Sequence, residues 1–414
     1  MTDAARLERR IHELAQIGRT DDPAREIYAT AVSRLGLSAE EQRARDLVTS
    51  WCAPHGATAR RDPAANLYLR FPGADPHAPV VLVGSHLDSV PMGGRFDGAL
   101  GVCCAVEAVV SLVESGARFA RPVEVVGWAD EEGARFGYGL FGSAAAFGRL
   151  RVDPERVRDK GGTSIAEALR ALGESGDLAG AMRDPKGIRA YLELHIEQGP
   201  RLERAGAPLG VVSDIVGIFH GLVMVRGEQN HAGATVMGER HDALVAASHM
   251  IIALERIASS VPDAVATVGE ITVKPGAKNV IPGECTFSLD IRAPKQESID
   301  LVLERFKAEA NEIFRKSLRE WGLRPLQSVA VTPLDEDLRD LLWKSAMSVG
   351  MNAPTLVSGA GHDAQNPSLA GVPTGMIFVR STGGSHTPTE FAATADAALG
   401  AKALEIAIRE LATA

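Results

Sequence analysis

The chain has 414 residues, of which 45% are hydrophobic, and its 44 basic and 53 acidic residues give a formal net charge of −9 at pH 7. This length exceeds one ordinary hydrophobic core, so we expect two domains. The negative charge disfavours nucleic acid and anionic membranes as partners. Small neutral or anionic metabolites are the expected ligands.

The four cysteines show neither a CxxC spacing nor a disulfide framework, which favours a reducing cytoplasm. They are Cys52, Cys103, Cys104 and Cys285. The first 18 residues are charged and helical in pattern, unlike the apolar stretch of a signal peptide. No apolar run reaches the roughly 18 residues that a bilayer span needs. The sequence therefore predicts a cytoplasmic protein without a membrane segment.

The first half of the chain has the pattern of a layered α/β fold. Residues 1–50 alternate charged and apolar positions at helical spacing, which predicts two helices separated near residues 20–23. From there to residue 208 the order is βαβ-like, with a helix at 98–114 that carries a broad apolar face. Residues 153–188 are richer in Gly, Arg and Asp and predict a surface excursion with short helices.

Residues 209–326 have the pattern of a separate unit. The predicted elements are a strand at 217–226, a helix at 242–259, strands at 264–273 and 285–292, and a helix at 295–315. This β-α-β-β-α order predicts a small α+β open-faced sandwich inserted into a larger sheet. The chain then returns to the first domain with a helix at 335–349, a strand at 375–379 and a helix at 395–411. We therefore expect one domain from residues 1–208 and 327–414 and another from residues 209–326.

Imidazole and carboxylate side chains occur where hydrophobic runs stop. These residues are His86, Asp97, Glu131, Glu132, His195 and His386. Ligands of open α/β sheets gather at the carboxyl ends of strands. A single histidine is more often structural, and an acidic pair usually lies on a solvated face. A solvated face would not follow buried strands so regularly, however, so the pattern favours a metal site.

Two divalent cations need a shared carboxylate to offset their mutual repulsion. Asp97 is the predicted bridge. His86 and His195 would complete the coordination of one ion, and Glu132 and His386 that of the other. Zn, Mn, Co and Ni suit such a set of ligands almost equally.

Two further carboxylates have predicted roles beside the metals. Asp88, two residues after His86, is placed to accept the imidazole N–H and fix its tautomer. Neighbouring side chains diverge at the end of a strand, so Glu131 can face a water molecule while Glu132 binds metal. Glu131 is therefore the predicted general base.

Five motifs together resemble the hydantoinase/carbamoylase amidase family over nearly the whole chain. They lie at residues 84–90, 94–98, 131–136, 193–200 and 358–364. That family groups N-carbamoyl-L-amino-acid hydrolases with allantoate and ureidoglycolate amidohydrolases, within the aminoacylase-like clan of dinuclear metallohydrolases. The resemblance implies an aminopeptidase-like, mixed-sheet catalytic domain in two sequence pieces and a lid domain that dimerises and closes over the substrate. It also implies the same five metal ligands and the same base.

The resemblance implies further residues that contact the substrate: Gln198, His231, Asn279 and Arg292. Arg292 would present a planar guanidinium to a carboxylate, with Asn279 as an amide donor beside it. His231 would donate to the oxyanion of the tetrahedral intermediate. A surface salt bridge for Arg292 and a capping turn at His231 are the alternatives.

Two segments leave their roles open. His362 and Asp363 match a family loop near the site, but they could equally be structural. Residues 234–237 read Ala-Thr-Val-Met where the family usually has Thr-Thr-Pro-Met, which changes a lid contact and leaves the metal ligands intact.

The expected function is hydrolysis of the carbamoyl C–N bond of an N-carbamoyl-L-amino acid to the amino acid, ammonia and carbon dioxide, by a homodimer that pairs through its lid. An allantoate or ureidoglycolate amidohydrolase would need the same metals and the same carboxylate contacts. A peptidase or deacylase of the clan is disfavoured by the motif at 193–200. A metal-bearing binding module without turnover is disfavoured by the presence of the base and all five ligands.

Overall fold

The computed structural model describes residues 2–20, 31–317 and 319–413, so the predicted break near residues 20–23 falls largely outside the described part. The chain divides into two compact units. The first comprises Met1–Ser213, Pro333–Ser358 and His362–Ala414, and the second comprises Asp214–Thr332 and Gly359–Gly361. Among the described residues, no helix is both long enough and apolar enough to cross a membrane.

The first unit is a three-layer arrangement of helices and one large mixed sheet. Its helices are α1 (Ala4–Ala15), α2 (Ala39–Cys52), α3 (Ala99–Glu114), α4 (Phe141–Ala146), α5 (Ile165–Ala171), α6 (Arg201–Ala205), α9 (Glu336–Ser348), α10 (Gln365–Leu369) and α11 (Thr394–Thr413). Its strands are β1 (Thr58–Arg61), β2 (Leu67–Phe71), β3 (Val80–His86), β4 (Val123–Trp128), β5 (Ile188–Ile196), β6 (Leu209–Ile215), β14 (Thr332–Pro333), β15 (Thr355–Ser358) and β16 (Thr374–Val379).

The central strands of this sheet are parallel and, apart from the exposed Arg189 of β5, buried. The order is β1-β2-β4-β3-β5-β16-β6-β14, with β15 paired to β6. Strands β4, β3, β5 and β16 run parallel to one another, whereas β2 and β6 pair antiparallel at either side. Strands buried on both faces have largely apolar sequences, as β3 does from Val80 to Gly84 and β4 does apart from Glu124. Their carboxyl ends therefore meet at one edge of the sheet.

Helix α3 is the main helix of the core beside this sheet. Its residues from Ala99 to Leu112 are buried, and it packs against α1, α11 and strands β3 and β5. The buried carboxylate of Glu107 on α3 accepts from Arg6 and Arg10 of α1, both at 2.8 Å. These charged hydrogen bonds compensate the desolvation of Glu107 and attach the amino-terminal helix to the core.

The second unit is an α+β open-faced sandwich. Its helices are α7 (Ala243–Ser259) and α8 (Gln296–Ser317), and its strands are β7 (Gly217–Arg226), β8 (Asn230–His231), β9 (Val265–Thr267), β10 (Ile271–Lys274), β11 (Val280–Ile281), β12 (Glu284–Ala293) and β13 (Glu320–Val329). The main sheet has the order β10-β12-β7-β13, with β9 paired to β12, and β8 pairs with β11 separately. Alternate residues of β12 are buried in the core with α7 and α8, as expected for a sheet covered on one face.

The mixed α/β fold with an inserted α+β unit is confirmed, and the structure differs from the prediction in detail. The predicted strand at 264–273 is two strands, because residues 268–270 bulge around Ser288, whose Oγ accepts from Gly269 N and Glu270 N at 3.0 Å each. Strand β13 was not predicted. The insertion also begins later than residue 209, because β6 pairs with β16 of the large sheet.

The two ends of the insertion lie side by side in the first unit. Strands β6 and β14 are neighbours in the large sheet, and the N–H of Leu334 donates to the carbonyl of Ser213 at 2.9 Å. The chain therefore leaves the sheet and returns to it at adjacent positions.

Candidate metal centre

The predicted ligands meet at the carboxyl edge of the parallel strands. His86 is the last residue of β3, and His195 is the penultimate residue of β5. Glu132 follows β4, Asp97 lies between β3 and α3, and His386 lies in the loop after β16. Since β4, β3, β5 and β16 are neighbours in the sheet, their ends bring these residues together.

The first cluster consists of three buried side chains. His195 Nε2 lies 3.1 Å and His86 Nε2 lies 3.7 Å from Asp97 Oδ1, and the two Nε2 atoms are 3.4 Å apart. One donor atom from each of the three residues lies within 4.8 Å of the others. These positions suit a single cation surrounded by two imidazoles and a carboxylate.

The second cluster shares Asp97 with the first. His386 Nε2 lies 3.2 Å from Glu132 Oε2 and 3.5 Å from Asp97 Oδ2. The His386 side chain is 50% exposed, so this cluster opens to solvent whereas the first is enclosed. Asp97 thus directs one carboxylate oxygen to each cluster.

The tautomers of the buried imidazoles fit a bound cation. His195 Nδ1 lies 2.9 Å from the carbonyl of Ile196, and His86 Nδ1 lies 3.3 Å from the carbonyl of Asp88, so Nδ1 carries the proton in each ring. A neutral ring then directs the lone pair of Nε2 towards Asp97. The two Nε2 lone pairs and the Asp97 carboxylate repel one another, and a metal ion bound between them would remove that repulsion.

The electrostatics of the cluster also favour positive charge. Burial acts to lower the pKa of His86 and His195, yet the surrounding carboxylates raise the pKa of both. Burial acts to raise the pKa of Asp97, yet the two imidazoles hold it well below its usual range. The hydrogen bond to Glu132 raises the pKa of His386 to about 9. In the described part of the chain, buried Glu132 Oε1 has no hydrogen-bond partner, so a cation would satisfy it.

Asp88 has more contacts than the sequence predicts. Its Oδ1 lies 3.4 Å from His86 Nδ1, next to the predicted imidazole N–H. Its two oxygens also accept from the backbone N–H groups of Glu131 at 3.0 Å and Glu132 at 3.1 Å. One buried carboxylate therefore orients a ligand ring and holds the segment that bears both glutamates.

Glu131 lies beside the two clusters and belongs to neither. Its Oε2 is 3.6 Å from His86 Nε2. Burial raises the pKa of Glu131 well above its usual range, against the opposing charge of His86. A carboxylate with a raised pKa is a stronger base once ionised, which suits proton transfer.

Backbone strain is concentrated at this edge of the sheet. Asp130, Gln198 and His386 have φ angles of +51°, +61° and +59°, in the left-handed region that non-glycine residues rarely occupy. Gln198 Nε2 donates to Asp97 Oδ2 at 2.9 Å, so the structure places this predicted substrate residue against the shared carboxylate. Strained residues of this kind cluster at functional sites.

The other predicted substrate residues lie in the second unit. His231 Nδ1 accepts from the N–H groups of Gly233 at 3.0 Å and Ala234 at 3.1 Å, so its ring proton is on Nε2. The carbonyl of Asn279 accepts from Ala232 N at 3.0 Å, which brings the Asn279 backbone beside this turn. The capping turn proposed as the alternative for His231 is therefore present, and it leaves Nε2 as a donor.

Arg292 forms an ion pair within its own strand. Its Nε and Nη2 donate to the carboxylate of Asp290 at 2.9 and 2.8 Å. Both side chains are about one-third exposed, at 31% and 30%. The salt bridge proposed as the alternative is thus present, with a carboxylate facing the guanidinium.

Comparison with known proteins identifies the family. A model of peptidase family M20/M25/M40 matches residues 82–410. The chain belongs to this family. The N-carbamoyl-L-amino acid amidohydrolase of Geobacillus stearothermophilus is 41% identical over 415 residues, covering 100% of this chain and 99% of the relative. The allantoate amidohydrolase of Bacillus subtilis is 35% identical over 410 residues, covering 97% of this chain and 96% of the relative.

A solved structure supports the same grouping. The crystal structure of an amidase of the hydantoinase/carbamoylase family from Burkholderia vietnamiensis has a TM-score of 0.89 and 34% identity, covering 100% of this chain and 98% of the other. The predicted resemblance to this family is confirmed. Membership of the M20 family and the clusters described above both suggest metal binding by this chain.

Sequence reasoning missed several residues of the M20 site. Glu390 accepts from the backbone N–H groups of Phe96 and Asp97 at 3.1 Å each, and Ser385 Oγ lies 2.9 Å from Asp97 Oδ2. Glu193 is fully buried in β5 and accepts from Ser85 Oγ at 2.8 Å. A glutamate inside an apolar strand is a signal that could have identified Glu193, whereas Glu390 follows a polar loop without such a signal.

His362 and Asp363 are buried near the first cluster. The His362 ring centroid lies 4.5 Å from that of His195, and its Nε2 lies 2.8 Å from Ser358 Oγ. Asp363 accepts a short hydrogen bond from Ser143. His362 also belongs, with Glu193 and His195, to a third group of buried side chains whose donor atoms lie within 4.8 Å of one another. The contacts with His195 and Ser358 fit a structural role and this group fits a role in the site, so both alternatives for the loop stay predictions.

Gly98 makes close approach of the backbone to the predicted ligand His86 possible in this M20 chain. Its φ is +62°, and a Cβ at this position would overlap the ring of His86. We expect Gly98→Ala to lower the free energy of unfolding of the metal-free protein by roughly 1–3 kcal/mol, measured by urea denaturation. Gly56→Ala is the matched control, because Gly56 has φ +82° and open space at its Cβ. Equal losses in the two variants would show that the His86 ring moves aside without cost.

Proposed function

We propose that this chain is a dinuclear metal-dependent amidohydrolase that cleaves the carbamoyl C–N bond of N-carbamoyl-L-amino acids to give the amino acid, ammonia and carbon dioxide. The observation that carries the proposal is the position of Asp97, which belongs to both ligand clusters while Glu131 lies beside them. Full-length relatives named as N-carbamoyl-L-amino-acid amidohydrolases support the substrate class.

The proposed ligands divide into two sets. Asp97 with His86 and His195 would hold one ion, and Asp97 with Glu132 and His386 would hold the other. Zn, Mn, Co and Ni are the candidate metals. Such ions, when bound, supply a water of lowered pKa and positive charge beside the substrate carbonyl.

Glu131 has the position of the general base in the proposed reaction. It would accept a proton from the attacking water as the oxygen bonds to the carbamoyl carbon. It would then deliver that proton to the leaving nitrogen as the C–N bond breaks. The carbamic acid left by this cleavage would lose carbon dioxide and so release the second nitrogen product. Asp88 holds the backbone of Glu131 at 3.0 Å, so the base is preorganised before the substrate arrives.

His231 is the proposed donor to the developing oxyanion. Two backbone N–H groups bind its Nδ1, so the proton on Nε2 is the one available for donation. His231 would therefore act as a hydrogen-bond donor through Nε2.

Arg292 and Asn279 are the proposed contacts for the substrate carboxylate. Arg292→Lys should raise KM for an N-carbamoyl amino acid by about tenfold or more and leave metal content unchanged, because one ammonium cannot replace two parallel hydrogen bonds. Steady-state kinetics with the acid and its carboxamide analogue would test this. If wild type hydrolyses both equally well, Arg292 does not bind a carboxylate.

We also propose that the second unit is a lid through which two copies pair, and that the protein acts in the cytoplasm. Val245 and Ile252, seven residues apart on α7, are 52% and 61% exposed, which supports an apolar contact surface. The four cysteines are free and buried, which suits a reducing compartment. Sedimentation equilibrium would give the mass of the assembly, and cell fractionation would give the compartment.

The deciding experiment is ammonia release from a panel of substrates by Mn- or Co-loaded enzyme. The panel comprises N-carbamoyl amino acids, allantoate, ureidoglycolate and dipeptides. Faster turnover of allantoate or ureidoglycolate would favour the alternative function, which the relatives named as allantoate amidohydrolases support. Turnover of dipeptides alone would overturn the proposal.

A further inference from the structure

Two loops of the first unit each carry one ligand of the second cluster. The Asp97 loop comprises residues 93–98, between β3 and α3. The His386 loop comprises residues 382–391 and is closed at its base by Thr382 and Phe391, whose backbone groups exchange hydrogen bonds of 2.8 and 2.9 Å. By contrast, His86 and His195 lie within strands β3 and β5, which the hydrogen bonds of the sheet hold in place.

Glu390 joins these two loops through a buried carboxylate. It lies in the His386 loop and is 5% exposed. Its Oε1 accepts from the backbone N–H groups of Phe96 and Asp97 at 3.1 Å each. A Cβ on Gly94 would overlap the carboxylate, so the Asp97 loop packs directly on it.

The second oxygen of Glu390 connects to the side chain of Asp97. Ser385 Oγ lies 3.2 Å from Glu390 Oε2 and 2.9 Å from Asp97 Oδ2. That Asp97 oxygen is the one facing His386 Nε2, at 3.5 Å. Glu390 thus contacts the backbone of Asp97 directly and its outer oxygen through one hydroxyl.

We propose that Glu390 is a positioning residue that joins the Asp97 loop to the His386 loop and thereby sets the affinity for the ion held by Asp97, Glu132 and His386. The inference rests on the dinuclear centre proposed above. The ion held by His86 and His195 should depend less on Glu390, because strands position both imidazoles. The edge-to-face contact of Phe96 and Phe391, with ring centroids 5.9 Å apart, remains when Glu390 is removed.

The test compares Glu390→Ala with Glu405→Ala. Glu405 is also 5% exposed, and it accepts from Thr2 N at 3.1 Å, away from both clusters. Co²⁺ would be titrated into each metal-free protein and followed by calorimetry and visible absorption. We expect Glu390→Ala to raise the Kd of the ion held by Asp97, Glu132 and His386 about 10- to 100-fold. The Kd of the other ion, and both Kd values of the Glu405→Ala protein, should stay as in wild type.

A conservative variant separates positioning from bulk stability. Glu390→Gln keeps an oxygen that can accept from both N–H groups, so it should restore most of the lost affinity. Ser385→Ala should raise the Kd of the same ion by a smaller factor. This variant replaces Glu390→Ala in the test if Glu390→Ala does not fold. The inference is overturned if Glu390→Ala binds both ions as wild type does, if Glu405→Ala weakens binding equally, or if Glu390→Gln is as impaired as Glu390→Ala.

Hydrogen exchange tests the same contact without any metal. In metal-free Glu390→Ala the N–H groups of Phe96 and Asp97 lose their acceptor, so both should exchange faster than in Glu405→Ala. If wild type takes up only one Co²⁺ ion, the dinuclear proposal fails, and the exchange measurement alone decides whether Glu390 joins the loops. Equal exchange in the two variants would then overturn the inference.

Discussion

Replacing Glu131 by Gln is expected to lower kcat by roughly 10²- to 10⁴-fold while the metal content stays at the wild-type level. The amide is nearly the same size as the carboxylate, but it cannot accept the proton of the attacking water. Glu131 belongs to neither ligand cluster, so both ions should remain bound.

Metal analysis after gel filtration and steady-state kinetics of the same preparation would check this expectation. Glu131→Asp is a useful companion, because it keeps the base and moves it back by one methylene. It should retain more activity than Glu131→Gln. Loss of an ion from Glu131→Gln would mean that the roles of the two adjacent glutamates are reversed. Full activity of Glu131→Gln would show that Glu131 is not the general base.

Asp97→Ala should abolish turnover by removing the carboxylate that both clusters share. Two neighbouring divalent ions repel one another, and without the shared anion neither the His86–His195 pair nor the Glu132–His386 pair holds its ion well. We expect less than one ion per chain after gel filtration, together with activity at the background level.

The matched control for this variant is Asp396→Ala. Asp396 is 7% exposed against 5% for Asp97, and it pairs with Arg380 at 2.7 Å, outside both clusters. Metal content measured by plasma mass spectrometry should remain at the wild-type level in Asp396→Ala. Two ions retained by Asp97→Ala would contradict the shared role of Asp97.

The sequence predicts the grouping of the predicted ligands because each lies at the end of an apolar strand or in the loop that follows one. His86 is the last residue of β3 and His195 the penultimate residue of β5, and those strands are parallel neighbours. A strand that is buried on both faces is recognisable in the sequence as a run of mainly apolar residues. Polar residues that follow such a run lie at the carboxyl end of the strand, where open α/β sheets bind their ligands. The functional roles of these residues stay predictions until the variants are measured.

Glu390 shows what this kind of reasoning cannot reach. It binds backbone N–H groups of residues that lie 294 and 293 positions away along the chain. A backbone N–H is the same in almost every residue, so nothing in the composition of the Asp97 loop marks it as the partner of a distant carboxylate. Such contacts become apparent only when the chain is folded.

Strand β13 was missed for a different reason. Pro325 interrupts its pattern, and the register with β7 shifts between Pro325 and Gln327. Proline is tolerated there because β13 is an edge strand of its sheet, where a missing N–H leaves no ladder bond unmade. The propensities of neighbouring residues do not show whether a strand lies at the edge or in the centre of its sheet.

The adjacency of the insertion's two ends has a consequence for engineering. Since Leu334 N donates to Ser213 O at 2.9 Å, a tight turn could connect residue 213 to residue 334 in place of residues 214–333, which contain all of the second unit except Gly359–Gly361. All five proposed metal ligands and Glu131 would remain in such a shortened chain, whereas His231, Asn279 and Arg292 would be deleted. Excision of this single continuous segment would therefore separate metal uptake from substrate recognition, and grafting a different segment onto the same two ends would be a route to new specificities.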